Sequence, residues 1–287
     1  VNTKLRVTKV FLKIIASLPQ PILYFIASIL AFLAQHVFRY RNHVIKNNLR
    51  NAFPTYSSEQ LKKIESLFYK QFCVVIIEIL MQFRMDKEFL KGKVTLTNPE
   101  LLEKYYQDGR NVVAVCGHFC NWEWIGASLT MHTSYDVLAI YKPLTNKVID
   151  QLLIEIRTLN GTKLTPVKKA TRAILSYEKP LISYFIADQS ASPEFAYWTD
   201  FLNQKTAVFW GAEKIARASN AIVVFLAMRQ FERGKYSFDV IELCKDPLSV
   251  KEGVITQLHV SALEKEIIKA PEFWLWSHKR WKHKMPQ

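Results

Sequence analysis

The chain has 287 residues, 49% of them apolar and 22% charged, which supports a globular protein with a sizeable core and excludes a disordered one. With only 8 Gly and 11 Pro it is neither collagen-like nor low-complexity, and it contains neither G-x-x-x-x-G-K-S/T nor G-x-G-x-x-G. Lys and Arg total 39 against 25 Asp and Glu, a formal net charge of +14. No acidic residue precedes Glu59, whereas Lys4, Arg6, Lys9, Lys13, Arg39, Arg41, Lys46 and Arg50 are all basic. Such an end attracts phosphate, on nucleic acid or on anionic lipid.

No charge lies between Lys13 and Arg39, and Ile14 to Phe38 is mostly Ile, Leu, Phe and Ala. A helix from Pro21 to about Phe38 would be roughly 27 Å long at 1.5 Å per residue, close to a hydrocarbon core of roughly 30 Å. Residues 1–42 are therefore predicted to form a membrane anchor, either spanning the bilayer or lying in its interface. A buried core helix is the alternative. Basic flanks on both sides leave the orientation open. The stretch ends in Phe-Arg-Tyr-Arg rather than at small residues, which argues against a cleaved signal peptide.

Residues 43–93 read as a helical connector. Ser57 with Gln60 forms a capping-box pattern. Leu61, Ile64, Phe68, Phe72, Val75, Ile79 and Phe83 then recur at helical spacing and predict a helix over about 58–84. From 94 to 287 the pattern changes to one α/β domain. Strands are expected at Asn111–Cys116, Tyr135–Tyr141, Leu181–Ala187, Ile222–Met228 and Tyr236–Leu243. Helices are expected at Val148–Leu159, Thr171–Tyr177, Phe209–Ala218 and Thr256–Ala270. That alternation predicts an α/β fold, a mostly parallel sheet flanked by helices, behind the N-terminal anchor and helical segment.

The run Gly117-His118-Phe119-Cys120-Asn121-Trp122-Glu123 follows directly on the first long strand. Gly117 lets the chain leave the sheet sharply. His118 then sits at a strand's carboxyl end, where α/β folds place ligands. Asn121 suits a helix N-cap, and Glu123 in the first turn could reach the ring as the orienting partner of a general base. A histidine that merely caps a helix is the plainer alternative. Cys73, Cys116, Cys120 and Cys244 show no paired framework. Zinc at Cys116 and Cys120 would need two further ligands at metal spacing, so no metal site is predicted.

His118 to Glu123 resembles the H-x4-D/E motif of the lysophospholipid acyltransferase superfamily, and the chain as a whole resembles its late lipid A acyltransferase branch. Asn48-Leu49-Arg50-Asn51-Ala52-Phe53-Pro54 is similar to N-L-x-x-x-F-P, and Tyr141-Lys142-Pro143 to Y-R-P. Asp188-Gln189 is similar to D-H/Q, and Ala270 to Lys282 to A-P-E-x-Y-x-W-x-H-R-R-F-K. The resemblance implies that His118 takes the proton of an acceptor hydroxyl and Glu123 holds the imidazole. Arg157 would stabilise an oxyanion or bind phosphate, and Asn121, Tyr141, Lys142, Asp188 and Gln189 would line the substrate site. It further implies an acyl thioester of acyl carrier protein or CoA as co-substrate rather than a cofactor, and a lipid A precursor as acceptor. Another glycolipid, aminolipid or lysophospholipid is the alternative acceptor. The setting implied is the cytoplasmic face of the inner membrane.

A membrane-tethered nucleic-acid-binding protein is the non-enzyme alternative. Its support is the tail, where Lys279, Arg280, Lys282 and Lys284 mix with Trp274, Trp276 and Trp281. Headgroup contact or packing is the preferred reading of those indoles, so nucleic acid is not an expected partner.

Overall fold

The computed structural model describes residues 2–285. Two helices open the chain, α1 (Asn2–Ala16) and α2 (Gln20–Phe32), and a π-helical turn over Leu33–Val37 prolongs the second. α1 adds to the predicted elements. Its Val7, Val10, Phe11 and Ile14 recur at helical spacing between basic residues and are exposed. α2 has two faces. Leu23, Tyr24, Ala27 and Ala31 are buried against the following helices, while Ile22, Phe25, Ile29 and Phe32 face outward. The Gln20–Val37 span is long and apolar enough to cross a bilayer, with a mean hydropathy of 1.5.

α3 (Asn42–Ala52) leads to α4 (Ser58–Met81), which starts where the capping pattern places it. Ser57 Oγ accepts from the Gln60 amide at 3.2 Å, and the Ser57 amide donates to Gln60 Oε1 at 2.7 Å. α2 packs on α4, and the hydrophobic core runs without a break from Leu23 to Trp276.

The α/β part comprises α5 (Lys87–Lys91), β1 (Val94–Leu96), α6 (Pro99–Gln107), β2 (Val112–Cys116), α7 (Trp122–His132) and β3 (Asp136–Tyr141). α8 (Lys147–Thr158), β4 (Lys163–Pro166), α9 (Ala170–Leu175) and β5 (Leu181–Ile186) follow. Then come β6 (Ala196–Phe201), β7 (Gln204–Phe209), α10 (Gly211–Ser219), β8 (Ile222–Glu232), β9 (Lys235–Cys244) and α11 (Val254–Lys269). Seven strands form one sheet in the order β1-β9-β8-β2-β5-β3-β4. It is parallel apart from the β8–β9 pair. The expected α/β class holds.

The β6–β7 hairpin forms a separate two-stranded sheet and was not foreseen. Its two-residue turn, Leu202-Asn203, has positive φ at both positions (50° and 62°), as a tight hairpin of this hand requires. Leucine there hides the turn, because the usual signal is Asn-Gly or Asp-Gly.

One feature of the topology positions the site. β2 and β5 are parallel neighbours, with Cys116 opposite Ile186. Two residues beyond that pair, the same register sets His118 against Asp188. The Ala187 amide donates to the Cys116 carbonyl at 2.9 Å and carries the ladder one step past the strands.

Candidate active site

His118 is held on three sides. Its ring Nδ1 lies 2.5 Å from Asp188 Oδ1, and its backbone amide donates to Asp188 Oδ2 at 2.8 Å. The Trp122 ring packs edge-on against the imidazole at 5.0 Å between centroids. The side-chain amide of Gln189 donates to His118 Nε2 at 3.3 Å. An Nδ1–H pointing at a carboxylate and an Nε2 that accepts define the tautomer whose free lone pair is on Nε2. Asp188 is buried, which disfavours its charge. The His118 ring beside it and the hydrogen bonds from His118 and Trp274 outweigh that cost and hold its carboxyl well below the usual carboxylate range.

This corrects the expected orienting group. Glu123 does not hold the imidazole. Instead it takes the Arg157 guanidinium as a two-pronged pair, Nε to Oε2 at 2.8 Å and Nη2 to Oε1 at 2.5 Å. The spacing argument fails because α7 begins at Trp122 and carries Glu123 toward α8, while the β2–β5 register has already supplied Asp188. Burial opposes both charges of the pair. Their attraction and hydrogen bonds prevail, holding Glu123 below and Arg157 above their ordinary values. Among the described residues, Arg157 Nη1 makes no hydrogen bond.

His118, Trp122, Glu123, Tyr141, Lys142, Arg157 and Gln189 line one cavity of 460 Å³, within the usual range for ligand sites. Ala139, Ile140, Leu153, Ile154, Leu164 and Ile186 supply the apolar part of the lining. Asp188 stands behind His118 rather than in this lining. Asn121 is also corrected. It caps α7, its Oδ1 accepting from the Trp124 amide at 3.2 Å, but it is fully buried and donates to Glu78, away from the cavity.

The C-terminal tail clamps the loop. Phe119 and Trp274 form an antiparallel bridge, the Cys120 amide donates to the Phe273 carbonyl at 3.1 Å, and the Leu275 amide donates to the His118 carbonyl at 3.1 Å. Trp274 Nε1 donates to Asp188 Oδ2 at 2.8 Å. Trp274 and Trp276 are therefore core residues, unavailable to headgroups or to stacked bases. Cys120 sits in the left-handed region at φ 52°, and burial pushes the thiols of Cys116 and Cys120 up. Sequence reading missed Trp122 and Trp274 as parts of this site. Both lie inside motifs, but only the fold shows what they touch.

The sequence model of a family described as bacterial lipid A biosynthesis acyltransferase matches residues 6–283. The chain belongs to that family. The acyltransferase is 23% identical over 273 residues to the lipid A biosynthesis lauroyltransferase of Escherichia coli (strain K12), covering 94% of this chain and 88% of that relative. It is 22% identical over 268 residues to the lipid A biosynthesis palmitoleoyltransferase of the same strain, covering 92% and 86%. It is 22% identical over 237 residues to a lipid A biosynthesis acyltransferase of Haemophilus influenzae, covering 80% and 72%.

Proposed function

We propose that this acyltransferase moves a fatty acyl chain from an acyl thioester, of acyl carrier protein or CoA, to a hydroxyl of a lipid A precursor. The observation that carries the reading is His118, backed by Asp188, in the lining of a cavity that also has apolar lining residues. His118 Nε2 takes the hydroxyl proton, and the resulting alkoxide attacks the thioester carbonyl. Asp188 keeps the imidazole in the right tautomer and offsets its positive charge. The free Nη1 of Arg157, fixed by Glu123, meets the tetrahedral oxyanion or a substrate phosphate. Collapse breaks the C–S bond, and the thiolate recovers the proton from the imidazolium. The thioester is a co-substrate, and the scheme calls for no cofactor or metal.

The outward apolar residues of α1, interspersed with basic side chains, and those of α2, between the basic flanks, support attachment to an anionic membrane surface. The lipid acceptor and the thioester meet at the cytoplasmic face of the inner membrane in this reading. The test is a reaction of the purified protein with lipid A precursor and either thioester, followed by mass spectrometry of the lipid. His118→Ala should lower the rate by about 10²–10⁴-fold. A wild-type protein that consumes neither thioester, or a folded His118→Ala protein with wild-type rates, would overturn the reading.

A further inference from the structure

Glu78 is a fully buried carboxylate in the middle of α4, outside the catalytic cavity. It has no cation within ion-pair distance among the described residues. Three neutral donors from three other elements surround it instead. Oε1 accepts from the Tyr24 hydroxyl of α2 at 3.0 Å. Oε2 accepts from Asn121 Nδ2 at 2.8 Å and from the Tyr236 hydroxyl of β9 at 2.7 Å. Its backbone carbonyl also accepts from Trp124 Nε1 at 3.2 Å. Burying a carboxylate is costly, and a methyl-bearing side chain would fill the space without that cost.

What the carboxylate does in return is join elements. Oε2 holds Asn121 at the start of α7, the Glu78 backbone carbonyl holds Trp124 in its first turn, and that turn carries Glu123. Glu123 in turn sets the Arg157 guanidinium through its two-pronged pair. Through Tyr24, Oε1 ties in α2, the helix that presents an outward apolar face.

We propose that Glu78 is a positioning residue of the acyltransferase. It fixes the start of α7, and hence the Glu123–Arg157 pair, against the anchor helix. This rests on the acyl-transfer reading. It requires that freeing Asn121 should lower kcat in protein that is still folded. A misplacement of about 1 Å at a catalytic group can cost about 10²-fold.

The donor pattern supplies a sharp control. In Glu78→Gln, the amide oxygen can keep Asn121 and Tyr236; the Tyr24 hydroxyl loses its acceptor, but the new N–H₂ can donate to the Tyr24 oxygen. That oxygen already accepts from Gln20 Nε2 at 3.0 Å and has a second lone pair. Glu78→Leu removes all three side-chain partners. Asn121→Ser keeps a capping oxygen but is too short to reach Glu78.

The experiment measures kcat and KM for the thioester with the full-length protein in mixed micelles of phospholipid and detergent. Rates are normalised to the folded fraction from circular-dichroism melts. Glu78→Gln should stay within about fivefold of wild type in kcat, with Glu78→Leu and Asn121→Ser down about 10²-fold and KM little changed. If Glu78→Leu does not fold, Asn121→Ser decides. A purely structural Glu78 would lower the melting temperature and leave kcat per folded molecule unchanged, and that result overturns the proposal. An inactive wild type would instead strike at the acyl-transfer reading.

Discussion

Replacing Asp188 by Asn changes one atom, and the structure dictates which one. Oδ2 receives two fixed donors, the His118 amide and Trp274 Nε1, each at 2.8 Å. Neither can become an acceptor, so the amide oxygen of Asn must take the Oδ2 place. Its N–H₂ is then left facing His118 Nδ1 across 2.5 Å. The imidazole can accept that hydrogen bond only by moving its own proton to Nε2. The nitrogen that should take the hydroxyl proton then carries one already.

The expected loss in kcat is about 10⁴-fold, the size of effect known when a buried carboxylate is exchanged for an amide behind a catalytic histidine. KM for the thioester should stay nearly constant, because the binding wall is untouched. Loss of the buried charge should also cost about 3 kcal/mol, or a fall in Tm of about 6–10 °C. The pH sign follows from the carboxyl's lowered pKa. Its contribution is complete above the unfolded value of about 4 and fades as pH falls further, so the stability gap between variant and wild type should narrow in acid. The assay is thioester consumption at several substrate concentrations, with heteronuclear NMR of ring-labelled histidine to read the tautomer. A kcat within tenfold of wild type in folded Asp188→Asn would refute the reasoning.

Arg157→Ala should cost both activity and about 3–5 kcal/mol of stability, because it leaves the buried Glu123 carboxylate unpaired. Adding Glu123→Leu should restore the stability and not the rate, as read by thermal melts and initial velocities on one preparation; rate recovery in the double variant would dismiss Arg157 as an active-site cation. Arg157→Lys should recover only part of the activity, since one ammonium cannot form both prongs of the pair. Deleting residues 1–42 should lower membrane partition and also destabilise the rest by roughly 5 kcal/mol, from Leu23, Tyr24 and the alanines beside them. Sedimentation with vesicles and a thermal melt of the truncated protein check this, and a melt matching full length would contradict it.

Truncation at 42 looks harmless from the sequence, because the uncharged segment and the α/β pattern are so far apart along the chain. The packing of α2 on α4 reverses that expectation. Hydropathy reports how apolar a helix is, but not which face is covered. Five of the seven strands of the main sheet were legible because buried strands are near-continuous apolar runs, as in Val112–Cys116 and Leu181–Ile186. β1 and β4 are only three and four residues long, and the β6–β7 turn uses leucine where glycine is the usual sign, so all of these escaped.

In the site, the residue types were legible but the pairing was not. Helical and strand-end spacing suggested Glu123 for His118, since it is near in sequence. The partner came from 70 residues away, through the β2–β5 register. Once strand order is known, that pairing follows by counting from Cys116 and Ile186; without it, no local pattern distinguishes Asp188 from a turn residue. Glu78 carried no signal at all beyond an acidic residue within an otherwise apolar helical stretch.

The two-faced character of α2 bears on how this protein can be handled in water. Its inner face belongs to the fold, so the segment cannot be exchanged for an unrelated membrane helix or cut away. The outer face of the helix pair, with Val7, Val10, Phe11 and Ile14 of α1 and Ile22, Phe25, Ile29 and Phe32 of α2, makes no such demand. Recolouring those eight positions with Glu, Gln and Lys would leave Leu23, Tyr24, Ala27 and Ala31 in place. It would remove most of the exposed apolar surface of the two helices. The route to a detergent-free acyltransferase runs through repainting the helix pair, with every residue of the chain retained.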